Sequence, residues 1–316
     1  MVKKWVAPKG DRRRSPPKPH RWAHSPFSPR VASTPVVPEL PEVETVRRGL
    51  EQRFVGRRIL RVEVGRERSV RRTSREEVIA RLTATTPIAA RRRGKYLIID
   101  LDSGDQMMIH LRMSGQVLID RADSVRPPHS HVVMTLTGRP EEELRFVDPR
   151  TFGEVVVFDP SMASKVVPEL SRLGPDPVSE GLDLAQLRSL LRSTARPVKA
   201  ALLDQSLIAG IGNIYGDEIL HRARIHPRRP ARNVSAEQSR RLLGCIHDVL
   251  TEAIDLGGST LDDAQYVDLM GEAGSFQERH CVYGRAGERC ISCGRGFVMS
   301  ATIGGRTSSW CGVCQR

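Results

Sequence analysis

Apolar positions first fall on one helical face at Val43, Val46, Leu50 and Phe54, entered through Pro41 and closed by Gly56. Proline is tolerated at a helix start, where its missing N–H has no intrahelical partner to lose, and glycine suits the stop. From about residue 58 to 158 the period shortens to that of strands. Tyr96–Ile99 and Met107–Leu111 flank Asp102-Ser103-Gly104, which predicts a hairpin. Val132–Thr137, Leu144–Val147 and Val155–Phe158 are further predicted strands. Several short strands joined by turns predict an antiparallel β-sandwich. Beyond Leu173-Gly174-Pro175-Asp176-Pro177, which reads as a domain edge, helical spacing dominates at about 183–193, 198–205, 214–223 and 235–256. The last 35 residues are rich in Gly and Cys and too few to hold a core alone. The fold class expected is α+β: a β-sandwich, a helical region, then a small ribbon.

Residues 1–37 follow neither period. They hold seven of the 21 prolines and +8 of the +13 net charge. They read as a disordered leader, or as sequence lying ahead of the true start, and they lack the apolar stretch of a signal peptide. Order is expected from Pro38, with domains at 38–172, 173–280 and 281–316. The remaining 279 residues carry only about +5, a modest bias toward a polyanionic partner. No apolar run of about 18 residues occurs, so no membrane span is expected.

Two residue groups carry candidate chemistry. Cys290-x2-Cys293 and Cys311-x2-Cys314 are separated by seventeen residues. Four thiolates in two tight pairs offer the tetrahedral sulfur set that zinc prefers in structural sites, so one structural zinc is expected. Cys245 and Cys281 are expected to be ordinary buried thiols. The turn Gly210-Ile211-Gly212-Asn213 precedes a helix, whose free N–H groups and permissive glycines suit a phosphate. A plain turn between two helices fits the same residues.

Pro38-Glu39-Leu40-Pro41-Glu42-Val43-Glu44-Thr45 resembles the start of the formamidopyrimidine-DNA glycosylases, which remove 8-oxoguanine and ring-opened purines. Arg92-Arg93-Gly94-Lys95-Tyr96-Leu97, His110-Leu111-Arg112-Met113-Ser114-Gly115, Asp148-Pro149-Arg150-Thr151-Phe152-Gly153 and Gly210-Ile211-Gly212-Asn213-Ile214-Tyr215 follow in that family's order, as does the four-Cys finger with Gly305-Arg306-Thr307. The resemblance implies a β-sandwich joined to a helix–two-turn–helix domain and a zinc finger. It also implies a monomer acting on double-stranded DNA with damaged bases or abasic sites, in the cytoplasm on the nucleoid. Leu40 stands where the branch that prefers oxidised pyrimidines has Gly, which favours oxidised purines; the pyrimidine branch is the alternative.

Roles carry over residue by residue. Pro38 would be the nucleophile, Glu39 the general acid, Lys95 the proton donor in β-elimination and Arg306 the promoter of δ-elimination. Met113, Arg150 and Phe152 would fill the void left by an extruded base. His129, Lys199 and Asn213 would contact phosphates. Val267 to Gln277 would correspond to a loop covering the extruded base. One departure matters: 37 residues precede Pro38, so its nitrogen is an amide. Val37 stands where the family has its initiator, and a GTG start read as Met would expose Pro38 after Met removal. If Pro38 stays blocked, the expectation becomes a catalytically silent protein that binds damaged DNA.

Overall fold

The computed structural model describes Met1 and residues 37–138, 140–261 and 266–316. Apart from its two end residues, the segment read as a leader lies outside the described residues. Helix α1 (Leu40–Arg53) opens the ordered chain and buries Leu40, Val43, Val46 and Leu50. Strand β1 (Ile59–Val64) follows, then α2 (Arg75–Leu82), whose first turn is capped by the Ser74 side chain accepting from the Glu77 N–H at 3.0 Å. Strands β2 (Pro87–Arg93), β3 (Tyr96–Leu101), β4 (Gln106–His110), β5 (Gln116–Arg121), β6 (Ser130–Leu136), β7 (Glu142–Val147) and β8 (Glu154–Phe158) form two antiparallel sheets. Their orders are β1-β6-β7-β5 and β2-β3-β4-β8. The hairpin expected around Asp102-Ser103-Gly104 is β3–β4, with Ile99 opposite Met107.

The sheets face each other across one core containing Leu97, Ile99, Ile109, Met134, Phe146 and Val157. Strand β8 is buried on both faces, because Val156 and Phe158 pack outward against Val167, which joins the short helices α3 (Ala163–Val166) and α4 (Pro168–Ser171), and against Leu170 of α4. Burial on both sides is why this strand reads as an unbroken apolar run.

Helices α5 (Leu184–Arg192), α6 (Val198–Leu203), α7 (Asn213–Arg222) and α8 (Ala236–Asp255) build a second core. Strands β9 (Val298–Ile303) and β10 (Arg306–Cys311) pair as the terminal hairpin. Its turn is Gly304-Gly305, with φ of +58° and +78°, the two-residue left-handed geometry that favours glycine.

Both cores borrow across the chain. Leu40, from α1, lies in the helical core, while Tyr266 and Leu269 lie in the sandwich core. The Ile119 N–H of β5 donates to the Leu269 carbonyl at 2.9 Å. Within the segment expected to cover an extruded base, Leu269 is anchored to the sandwich, where an apolar side chain gains by burial.

The domain edge is fixed by a buried polar junction. Asp176 pairs with the Arg92 guanidinium and accepts from the Gly94 N–H at 2.8 Å. The Arg92 Nε donates to Glu44 of α1 at 3.0 Å. Removing Arg92 would leave the Asp176 carboxylate buried without its cation, while Glu44 keeps Arg47 and Arg48. Arg92→Ala should cost about 3–5 kcal/mol, read as a fall in denaturant midpoint with an unchanged slope.

Candidate active site

The start of the chain is seated on the start of α7. Glu39 is only 3% exposed, and its carboxylate accepts from the Ile214 N–H at 2.9 Å and the Tyr215 N–H at 3.4 Å. A helix N-terminus offers unpaired N–H groups and the positive end of its dipole, so it is a ready seat for a carboxylate. The Leu40 N–H donates to the Gly210 carbonyl at 3.1 Å. A Cβ on Gly212 would lie 2.2 Å from the Glu39 carboxyl carbon, so only glycine permits this approach. Glu42 completes the seat: it accepts from the Glu39 N–H at 2.9 Å, from the Ser259 N–H at 2.7 Å and from the Tyr215 hydroxyl. Burial pushes its pKa up to about 7, helped by the neighbouring Glu39.

A cleft of about 820 Å³ opens beside this seat, lined among others by Val37, Glu39, Lys95, Met113, Asn213 and Arg306. Lys95 follows Gly94, whose φ is +57°, in the turn between β2 and β3. Burial lowers its pKa, with Arg306 and Lys199 adding to the fall and Glu39 and Glu42 opposing it. Arg306 opens β10 of the terminal hairpin, just after the glycine turn, and is exposed. The Asn213 side chain has a buried Oδ1 with no hydrogen-bond partner.

The facing wall is organised by Asp148. Its carboxylate accepts from the Ser114 hydroxyl at 2.5 Å, the Arg150 N–H at 3.2 Å and the Gly153 N–H at 2.7 Å. One buried side chain thus holds the turn carrying Met113 and the turn carrying Arg150 and Phe152. Phe152 lines the cleft while 38% exposed, and the Arg150 guanidinium stacks 5.0 Å from its ring centroid. Met113 and Phe152 are therefore not core residues. Arg112, His129 and Thr151, at φ of +55°, +68° and +55°, adopt left-handed backbone around this wall. Strain of this kind persists where surrounding contacts over-determine it, often at functional sites.

Two residues expected to contact phosphates lie outside the cleft lining. His129 is exposed, outside the residues lining the cleft, and its carbonyl accepts from the Asp148 N–H at 3.1 Å. Lys199 is 0% exposed, so its ammonium is enclosed rather than offered to solvent. Its burial follows from pairing with Asp217 at 2.6 Å. Sequence reading missed Arg68, Arg71, His110, Arg112 and Tyr283 on the cleft wall. Arg68 and Arg71 belong to an arginine-rich stretch that looks like any solvated surface, whereas Arg112 lies within a recognised motif that gave it no role. His110 lies within a recognised motif; burial holds its pKa well below the usual range, and its ring stacks on Tyr96 at 4.3 Å.

Cys290, Cys293, Cys311 and Cys314 form a second centre, with their four sulfurs within 4.8 Å of one another. The Cys290–Cys314 and Cys293–Cys311 separations are 3.9 and 3.8 Å. A tetrahedron of sulfurs about 2.3 Å from a metal has edges of about 3.8 Å, so this set fits a metal ion. The Gly296 N–H points at Cys293, and the Val313 and Cys314 N–H groups point at Cys311, all within 3.4 Å. Such donors favour thiolates. Cys245 and Cys281 are half-buried rather than enclosed, because each lies at the edge of the helical domain.

A cleft joining a seated carboxylate, a half-buried lysine and several arginines, with a four-Cys finger at its side, defines a nucleic-acid-processing enzyme. Comparison makes this specific. Residues 37–155 match the formamidopyrimidine-DNA glycosylase N-terminal domain, and 173–265 match the H2TH domain of the same proteins. A formamidopyrimidine-DNA glycosylase of Xanthomonas axonopodis pv. citri is 42% identical over 281 residues, covering 89% of this chain and all of that protein. The Thermus thermophilus counterpart is 41% identical, over 88% of this chain and 98% of its own length. Lactococcus lactis Fpg in complex with DNA containing an abasic site superposes with a TM-score of 0.80 at 36% identity, covering 88% of this chain and 99% of that one. The chain belongs to the formamidopyrimidine-DNA glycosylase family, DNA glycosylases of base-excision repair with abasic-site lyase activity. Among its described residues no helix is long and apolar enough to cross a membrane.

Two tests follow from the geometry. Gly212→Ala should unseat Glu39 and raise hydrogen exchange at the Ile214 and Tyr215 amides. Gly244→Ala, on the exposed face of α8 with nothing near its Cβ, should leave those amides protected and stabilise the helix by about 0.5–1 kcal/mol. Cobalt(II) added to metal-free protein should give the intense thiolate-to-metal bands of a four-sulfur site at one ion per chain. Cys290→Ser should remove them; their survival would overturn the ligand set.

Proposed function

We propose that this chain excises oxidised purines, 8-oxoguanine and formamidopyrimidines, from double-stranded DNA and then cuts the strand by β,δ-elimination through an iminium on Pro38. The observation that carries the reading is the convergence in one cleft of Glu39, Lys95 and Arg306, which lie far apart in sequence. Zinc is the metal the four-Cys set suits, and its role is structural, since all four protein ligands are thiolates.

The chemistry follows from the groups. A chain-terminal α-amino group has a pKa near 8, so a useful fraction is neutral at physiological pH. Its lone pair forms the N–C1′ bond as the bond from C1′ to the base breaks, with water protonating the departing base; the Glu39 carboxylate takes the proton the amine loses and returns it to the ring oxygen as the sugar opens. The resulting iminium is an electron sink. Loss of a C2′ proton expels the 3′ phosphate, and a second elimination expels the 5′ phosphate. Lys95, whose pKa burial lowers, would exchange protons in the first elimination; Arg306 would hold the phosphate lost in the second. Met113 and Phe152 would occupy the vacated stack, and Arg150 would hydrogen-bond the orphaned base. Asn213 and the exposed His129 would hold phosphates. The preference for purines rests on Leu40 and on the Lactococcus lactis complex with DNA containing Fapy-dG, which superposes with a TM-score of 0.80.

Val37 lines the cleft, so in the 316-residue chain the residue joined to Pro38 stands where substrate would enter, and the Pro38 nitrogen is an amide. The activity therefore requires a chain that begins at Pro38. Sodium borohydride should trap a covalent complex between abasic-site DNA and that form, with mass spectrometry placing the adduct on Pro38. The 316-residue form should bind the DNA without trapping. Strong trapping by the longer form at another residue would overturn the nucleophile. Tight lesion binding without trapping by either form would favour a silent damage-binding protein.

A further inference from the structure

The enclosed Lys199 does more than fill space. Its ammonium donates to the Asp217 carboxylate and to the Asn213 carbonyl, both at 2.6 Å. Asp217, 1% exposed, turns its other oxygen to the Ser309 N–H at 2.8 Å. One buried pair thus joins α6, α7 and β10. Through Asn213 it holds the first residue of α7, whose side chain lines the cleft. Through Ser309 it holds β10 three residues from Arg306. A second contact supports the same hairpin: a Cβ on Gly304 would lie 2.8 Å from the Ala200 Cβ, next to Lys199 on α6. The Gly304-Gly305 turn is too short to supply slack, so the place where β10 is held decides where Arg306 stands. Apolar residues at 199 and 217 could fill the volume, but they would leave the Ser309 N–H without its buried acceptor.

We propose that the Lys199–Asp217 pair is a positioning device that sets the Arg306 hairpin and the Asn213 helix start in fixed relation to each other, so that both meet the phosphates of one DNA strand. Lys199 acts through this pair and not by touching phosphate. The proposal rests on the reading of Arg306 as a phosphate contact, and its test separates the two.

The test uses the 316-residue, metal-loaded chain and a duplex containing a stable tetrahydrofuran abasic analogue, with affinity measured across salt concentration. Arg306→Ala should lower the slope of log affinity against log salt by about one, the loss of one phosphate contact. The double variant Lys199→Met with Asp217→Leu removes both buried charges together. It should lower the slope by the same amount, and adding Arg306→Ala to it should lower it no further. Ala200→Leu, a wedge beneath the hairpin tip that leaves the pair intact, should reproduce the loss, so the test does not depend on the double variant folding. A purely structural pair would change the melting temperature and leave the slope alone. A normal Arg306→Ala effect with wild-type slopes in the double variant and in Ala200→Leu would overturn the positioning role. A wild-type slope in Arg306→Ala would overturn the phosphate reading and the proposal with it.

Discussion

The arrangement of the site depends on one contact, the Glu39 carboxylate on the N-terminal amides of α7. A carboxylate this buried is tolerated only when its lone pairs are met, and the first turn of a helix meets them without needing a counter-cation. The seat then sets its surroundings. Gly212 must be glycine to let the carboxylate in, Leu40 drops into the helical core behind it, and Glu42 ties the same turn to Tyr215 and Ser259. The entrance to α1 therefore has one position and one direction, and the cleft forms beside it.

Polar junctions of this kind recur wherever elements from distant parts of the chain must meet. Arg92 joins Glu44 and Asp176 at the domain edge, and Asp148 binds the two turns that carry Met113 and Phe152. Apolar packing supplies the bulk of the stability, yet it tolerates small slips. A buried charge with fixed hydrogen-bond partners does not, because a slip leaves it unpaired. The distribution matches that division: apolar cores inside each layer, charged junctions between them.

Much of this was legible in the sequence. The β3–β4 hairpin and the helices α5 to α8 follow directly from hydrophobic period, and the cysteine pairs from spacing alone. The helix α2 was not read, although Ser74 three residues before Glu77 is a helix-start signature; its surroundings are so rich in arginine that the apolar period is diluted. Lys199 shows a different limit of local reading. A lysine near a glycine-containing turn looks like a phosphate ligand, and nothing local reveals that Asp217, a turn and a helix away, takes its charge. Leu269 likewise reads as part of a loop, since its core belongs to strands more than a hundred residues earlier. Local pattern shows what an element is; long-range pairing decides which of its side chains remain available.

The seat of Glu39 has a consequence for how the protein comes into being. Its two amide donors lie 175 and 176 residues downstream, and the Ser259 donor to Glu42 lies 217 residues from its acceptor. Contacts of such separation close late, after the elements they join have formed. A nascent or truncated chain can thus form the strands of both sheets and still have no cleft. The capacity to act on a genome arrives only with the finished molecule, and the architecture is its own safety interlock.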